Sequence, residues 1–449
     1  MAFSVATISI TSSNTICNLP NDRKNFTMIS TVLAKYLQTR AVLGPWKISG
    51  RTGTGFSGAV VIPALAEYDN LFDTLRSLAA NPPEYLSRFL ILVVVNNRED
   101  AEASDREDNR QTLARLAEGE PELASLRLAW VDAASPGLET PARGGGVGLA
   151  RKIGLDLALS RLEFARQSPL LICLDADTLV EPSYLPVLVD HFKRSLRGGA
   201  VIPFQHRTGT TPGEREAIER YELFLRSYVL GLSLAGSPYA FHTVGSAMAC
   251  TAEAYIRMGG MNRRQAAEDF YFLQQLHRTT GVEKLRGTIV YPSPRPSHRV
   301  PFGTGRSISS YLQGEKGAIM FYHPECFAIL EKWLKTVTGN AYKLASGLMA
   351  EAASVSPSLE EYLEISGFPT SWERLRRNHA GKDPLLTAFH GWFDALKTMK
   401  LIHHLSSTHL PRCAPDEGVI PLLKWGGQEI PEGGAGRLSL LRWIQNGER

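Results

Sequence analysis

Asp175 and Asp177 close an apolar run, Leu170-Leu171-Ile172-Cys173-Leu174. A run of this length is too short for a helix of its own and reads as a buried strand running out into a loop. Side chains alternate along an extended chain, so both carboxylates can face one way and converge on a divalent cation. Hard oxygen ligands suit magnesium or manganese, and either ion can bridge a protein to a diphosphate. The plainer alternative leaves one aspartate capping the next helix and the other in water. A second acidic pair, Glu268-Asp269, stands where a helix should begin. It is either two acids favoured by the helix dipole or a general base with its neighbour. Upstream, the glycine-rich stretch Arg143 to Gly154 leads into a helix through Leu162. Glycine lets a ligand approach the backbone, a helix start supplies free N–H donors, and Arg151 and Lys152 add positive charge, which together suit a phosphate. The same residues also serve as a flexible connection.

These residues need elements to position them. Ala59-Val60-Val61-Ile62-Pro63 predicts a short buried strand, and Leu71, Phe72, Leu75 and Leu78 a helix over 69–78. Further strands are expected at Phe89 to Val95, Leu126 to Val131 and Gly199 to Pro203, with a polar, exposed segment through Arg110. Alternating strands and helices mean parallel strands joined by crossovers, whose ligands gather at the carboxyl ends. Pro63 to Glu67 and Asn96 to Arg98 occupy two of those ends. Thr211-Pro212-Gly213-Glu214 is a capping box that opens a helix carrying Ile218, Tyr221, Leu225, Tyr228 and Leu232 on one face. The loop from Pro292 to Arg306, with His298, Arg299 and Arg306, is composed as a lid over phosphates or as a plain connection. From Ser307 the pattern turns helical, and the stretch from Pro411 reads as irregular. The chain therefore divides into an N-terminal extension, 1–55, which reads as loosely packed, an α/β unit, 56–306, and a helical region, 307–449.

Composition narrows the classes. The 449 residues are 43% hydrophobic and 21% charged, ordinary globular values with length for two or three domains. A net charge of +4 without a clustered basic face is no footprint of nucleic-acid binding. The five cysteines are scattered and odd in number, which argues against a disulfide framework and fits a reducing cytoplasm. No run is apolar and long enough to span a bilayer, and Met1 to Ile10 lack a basic start, so neither a membrane helix nor a signal peptide is expected. Peripheral attachment to a membrane stays open, and nothing specifies an oligomeric state.

In order along the chain, Val61-Ile62-Pro63-Ala64-Leu65-Ala66-Glu67, Gly148-Leu149-Ala150-Arg151-Lys152-Ile153-Gly154, Asp175-Ala176-Asp177 and Gly259-Gly260-Met261-Asn262 followed by Glu268-Asp269 resemble a soluble, bacterial-type family 2 glycosyltransferase with the GT-A fold. The resemblance covers about half the chain. It implies a Rossmann-like, mostly parallel sheet and a nucleotide-diphosphate sugar donor, contacted by Pro63, Ala66, Glu67, Asn97, Arg151, Asp175, Arg299 and Arg306. It makes Asp177 a direct ligand of magnesium or manganese, places Asp175 at the metal or the donor ribose, and offers His298 as a further ligand. Asp269, with Glu268 beside it, becomes the base that deprotonates an acceptor hydroxyl, with inversion of the anomeric centre. One departure is Asn96-Asn97-Arg98, where the family commonly carries an acidic pair against the nucleotide base, so a uridine preference does not carry over. The Gln-x-x-Arg-Trp signature of membrane-embedded polysaccharide synthases is absent. Transfer of one sugar to a small or lipid-linked acceptor is therefore expected.

Two rivals remain. Asp-x-Asp-x-Thr after an apolar strand also resembles the first motif of haloacid dehalogenase-like phosphatases, with Asp175 as nucleophile. That motif normally opens its domain, whereas here three strands precede it. The other rival is a sugar-nucleotide-binding protein that kept the fold and lost turnover.

Overall fold

Apolar runs without polar alternation suit strands covered on both faces, and the runs at residues 58–64 and 89–96 are buried at every position. The computed structural model describes residues 31–50, 53–165, 167–296, 303–315 and 317–447. Its strands are β1 (Ile48–Gly50), β2 (Gly58–Ala64), β3 (Phe89–Asn96), β4 (Arg127–Ala133), β5 (Leu170–Cys173), β6 (Leu179–Val180), β7 (Gly199–Val201), β8 (Met248–Thr251), β9 (Val282–Lys284) and β10 (Val290–Tyr291). Eight of them form one sheet in the order β1-β4-β3-β2-β5-β8-β7-β9, and β6 pairs with β10 apart from it. The central block β4-β3-β2-β5 is parallel throughout. Antiparallel pairings join β1 to β4, β5 to β8 and β8 to β7, while β9 returns parallel to β7. The expected class, α/β with a mostly parallel sheet and a helical C-terminal region, is what the chain forms.

Alternate side chains go to opposite faces. Val61, Leu92 and Val94 join one apolar cluster, and Val60, Ile62, Ile91 and Val93 join the other. The helix Tyr68–Ala79 covers the second face with Leu71, Phe72, Leu75 and Leu78. The helix Val147–Leu159 covers the first and is buried at every position after Val147. Gly154 lets it lie close, because a Cβ there would overlap Val61 Cγ1 and press on Val94 Cγ2. Strand order reverses between β2 and β5, whose shared register runs from Gly58↔Leu170 to Val61↔Cys173. A crevice is expected beyond the carboxyl ends at such a reversal. Pro63 sits past the last β2–β5 pair, where a missing N–H leaves no rung of that ladder unmade.

The described part of the N-terminal extension is packed. Residues 31–39 are helical, and β1 adds a strand outside β4. Tyr36 donates to Asp156 Oδ1 at 2.7 Å, as does Tyr255, while the Val42 N–H reaches Asp156 Oδ2 at 2.8 Å. Lys152 completes this buried cluster at 2.9 Å from Asp156 Oδ2.

Two further sequence expectations are corrected, beside the loose packing expected of the extension. The polar segment through Arg110 belongs to a helix, Ala103–Glu118, whose inward side carries Asn109, Thr112 and Leu116 rather than an apolar stripe. The stretch after Pro411 is not irregular: it forms helices Pro415–Trp425 and Gly433–Asn446, the first opened by Pro415 and carrying Pro421 within it.

The capping box at Thr211 and Glu214 is present and opens the long helix Pro212–Leu234. Leu223, Leu230 and Leu232 of this helix share one core with Trp333, Phe368, Trp372 and Phe389 of the helical region. Glu222, fully buried, accepts from His206 N, Arg226 Nε and both Arg442 Nε and Nη2, at 2.8 to 2.9 Å. Hydrogen bonds from the His206 ring and from Arg442, with the charge of Arg226, hold its carboxyl well below the usual carboxylate range against the pull of burial. Among the described residues no helix is long and apolar enough to cross a membrane.

Candidate active site

β5 stops at Cys173, the Leu174 N–H still bonds Val61 O at 3.1 Å, and the chain then turns, closed by Thr178 N donating to Asp175 O at 3.1 Å. Asp175 and Asp177 therefore stand on a turn rather than on extended chain, and their carboxylates go to different arginines. Arg151 Nη2 pairs with Asp175 Oδ1 and Arg151 Nη1 with Glu268 Oε1. Arg295 pairs through Nη2 with Glu67 Oε1 and through Nε with Asp177 Oδ2, the latter at 3.2 Å. Arg207 donates to the Asp177 carbonyl at 3.1 Å.

Arg151 reaches its two carboxylates because its helix is tightly placed. Gly146 starts that helix, and at Gly148 a Cβ would overlap Arg264 O and press on Glu268 Cβ. Gly245, in the small-residue stretch before β8, leaves room for the guanidinium, since a Cβ there would overlap Arg151 Nη2. Burial alone would pull Arg151 down, but Asp175 and Glu268 together hold it firmly charged. Glu268 is pushed up by burial against the pull of Arg151.

Asp269 follows on the helix Glu268–Thr280, after Ala267 in the left-handed region at φ 57°. Its carboxyl is pushed up to about 7 by burial and by the charge of Glu268, with Arg151 opposing. That is a carboxyl able to take and return a proton near neutrality. Asp177 is also raised, by burial first, with Arg295 opposing and Asp175 adding to the rise.

The fold thus brings Glu67, Arg151, Asp175, Asp177, Glu268 and Asp269 together. Pro63 is buried within β2, and Ala66, at φ 52°, turns the chain between β2 and the next helix. Asn97 is fully buried and accepts from Asn109 Nδ2 at 3.0 Å, while Asn109 Oδ1 takes the Ala66 N–H at 2.9 Å. Its carboxamide is thus engaged inside the protein. Arg306 pairs instead with Glu315, at 3.4 Å. His298 and Arg299 lie outside the described residues. Lys152 serves the buried Asp156 cluster and not a phosphate cradle. Sequence reasoning missed Arg295, Arg207 and Asn109. Arg295 carried one usable sign: it sits between Pro294 and Pro296, which restrict the backbone around it.

Among the described residues no three His, Cys, Asp or Glu side chains converge as a ready-made metal cage. Asp175 and Asp177 nevertheless supply an all-oxygen donor pair, and the charge of one already disfavours ionisation of the other. A magnesium- or manganese-type cation that completes its shell from substrate phosphates needs no more than one or two carboxylates from the protein.

No protein-family model matches the chain. No curated protein matches it. Among solved structures it is similar to S. aureus TarS 1–349 in complex with UDP-GlcNAc, at 14% identity over 84% of this chain and 93% of that one, with a TM-score of 0.38. It is also similar to the mannosyltransferase PcManGT from Pyrobaculum calidifontis in complex with GDP-Man and Mn2+, at 14% identity over 95% of both chains, TM-score 0.33. A third is M. tuberculosis glucosyl-3-phosphoglycerate synthase, at 15% identity over 64% of this chain and 84% of that one, TM-score 0.30. Likeness at this level does not reach to activity.

Proposed function

We propose that the chain is a GT-A-type enzyme that transfers a glycosyl group from a nucleoside-diphosphate sugar to an acceptor hydroxyl, with inversion. The observation that carries this is the junction at Arg151, which ties Asp175 of the turn after β5 to Glu268 and so brings the raised carboxyl of Asp269 into the field of Asp175. Motif order supports the same assignment, since all four stretches that resemble a family 2 glycosyltransferase lie in the α/β unit assigned to residues 56–306.

Asp269 would take the proton of the acceptor hydroxyl as its oxygen bonds the anomeric carbon. The bond from that carbon to the diphosphate oxygen breaks on the opposite face, and its electron pair leaves with the nucleoside diphosphate. Glu268 raises the Asp269 carboxyl toward the basicity this task needs, and Arg151 opposes the rise that burial imposes on Glu268. Arg295, now between Glu67 and Asp177, stands where a guanidinium can turn to the leaving phosphates. Asp175 and Asp177 would hold magnesium or manganese, which when bound neutralises charge developing on the diphosphate. We assign the enzyme to the cytoplasm from its dispersed cysteines, the four described ones being free and buried.

The test is release of nucleoside diphosphate from a panel of UDP-, GDP- and ADP-sugars with magnesium or manganese, with Asp177→Ala in parallel. Slow transfer to water should yield one nucleoside diphosphate in a metal-dependent reaction that the substitution abolishes. Hydrolysis of p-nitrophenyl phosphate through Asp175, with no donor cleaved or bound, would overturn the proposal.

A further inference from the structure

A cavity of about 190 Å³ opens beside the helix that carries Asp269. Phe270, the next residue, lines it together with Phe224, Tyr228, Phe241 and Tyr322. No Asp, Glu, Lys or Arg does. A phosphate or carboxylate placed there would lose its water without gaining a counter-charge. An apolar group would gain from most of the wall.

A few polar side chains interrupt the wall, namely His242, Thr243, Gln274 and Thr398 beside the tyrosines. Gln274, 8% exposed, uses Oε1 to accept the Leu396 N–H at 2.9 Å. This fixes the sense of its carboxamide, whose N–H groups have no partner among the described residues. An occupant bearing an oxygen acceptor would satisfy them. Size sets a further limit: an apolar cavity of about 150 Å³ takes one benzene. The space therefore suits a single ring and not a long chain.

We propose that this cavity holds the body of the acceptor, which is an alcohol carried on one aromatic or alicyclic ring rather than a free sugar. The proposal rests on the glycosyl-transfer function above. Asp269 does not itself line the cavity, but Thr243 and Val244 do, and the Gly245 that follows them lies against Arg151, so the wall runs up to the junction that holds Glu268 and, next to it, Asp269. The hydroxyl proton passes to Asp269, the oxygen bonds the anomeric carbon, and the nucleoside diphosphate departs with the electron pair.

The experiment compares benzyl alcohol with glycerol as acceptors, reading nucleoside diphosphate release and glycoside formation in the wild type and in Met399→Trp. Met399 lines the cavity from the helix Ala395–Thr408 and has no part in donor binding. Benzyl alcohol should stimulate release by about tenfold or more over glycerol, and Met399→Trp should remove that stimulation while basal transfer to water stays unchanged. Met399→Ala, which enlarges the cavity and serves if the tryptophan variant does not fold, should shift preference toward naphthylmethanol. Equal stimulation by glycerol, or stimulation indifferent to both changes at Met399, overturns the assignment while leaving glycosyl transfer intact. Saturation-transfer NMR with benzyl alcohol separates the remaining case. If no donor is cleaved but the wild type binds benzyl alcohol and Met399→Trp does not, the transferase function and the acceptor role fail together, and only an apolar ligand site remains.

Discussion

Asp269 is poised by opposing neighbours. Burial and the charge of Glu268 raise it, whereas Arg151 and the Phe270 N–H, which donates to Oδ1 at 2.7 Å, lower it, with Asp175 and the buried Tyr221 also in its field. With a carboxyl near 7, transfer should fall as pH drops below that value and the base becomes protonated. Asp269→Asn should lower kcat by about 10²–10⁴ while donor affinity, read by calorimetry, holds. The sign for stability runs the other way. A carboxyl raised from 3.8 to about 7 leaves the folded state with more bound protons than the unfolded chain between those values, so stability falls as pH rises through that window. Thermal melts should therefore show Asp269→Asn more stable than the wild type above pH 7, with the difference fading toward pH 4. The acids were legible in the sequence because each ends or begins an element. Arg295 was not, because composition does not say which loop cation folds back 228 residues to meet Glu67.

At the scale of elements, the glycine-headed helix sets the whole crevice. Gly154 allows it to lie on β2 and β3, and Arg151 sits one turn before. Gly154→Ala should lift the helix and destabilise the protein by about 1–3 kcal/mol, measured by urea unfolding, with a loss of activity that stability alone does not account for. Strands such as β2 and β3 were legible because burial on both faces leaves an unbroken apolar run. The helix Ala103–Glu118 hid because its inward residue Asn109 serves hydrogen bonds to Ala66 and Asn97 and gives no apolar period. Pro415 and Pro421 concealed a helix for another reason: the first occupies a position where no N–H is needed, and tertiary packing of Val419, Leu422 and Leu423 outweighs the bond lost at the second.

For the whole molecule, the long helix Pro212–Leu234 belongs to both halves. The pattern of the sequence changes near 306, yet packing crosses that point through Leu223, Leu230 and Glu222. Arg442→Ala should leave Glu222 buried with only part of its counter-charge and cost about 3 kcal/mol, with sheet and helical region unfolding in one transition. Two transitions in denaturant would show instead that the halves are independent. At the rims of the sheet, three-residue strands close the two sides: β1 covers β4, and β9 exposes Glu283 and Lys284. Strand rims with open hydrogen-bonding rows invite copies of a chain to stack, and short or charged ones discourage it. The segment ending at Gly50, remote from the chemistry, thereby guards colloidal behaviour: without it, seven residues of β4 would become a template on which molecules add to one another.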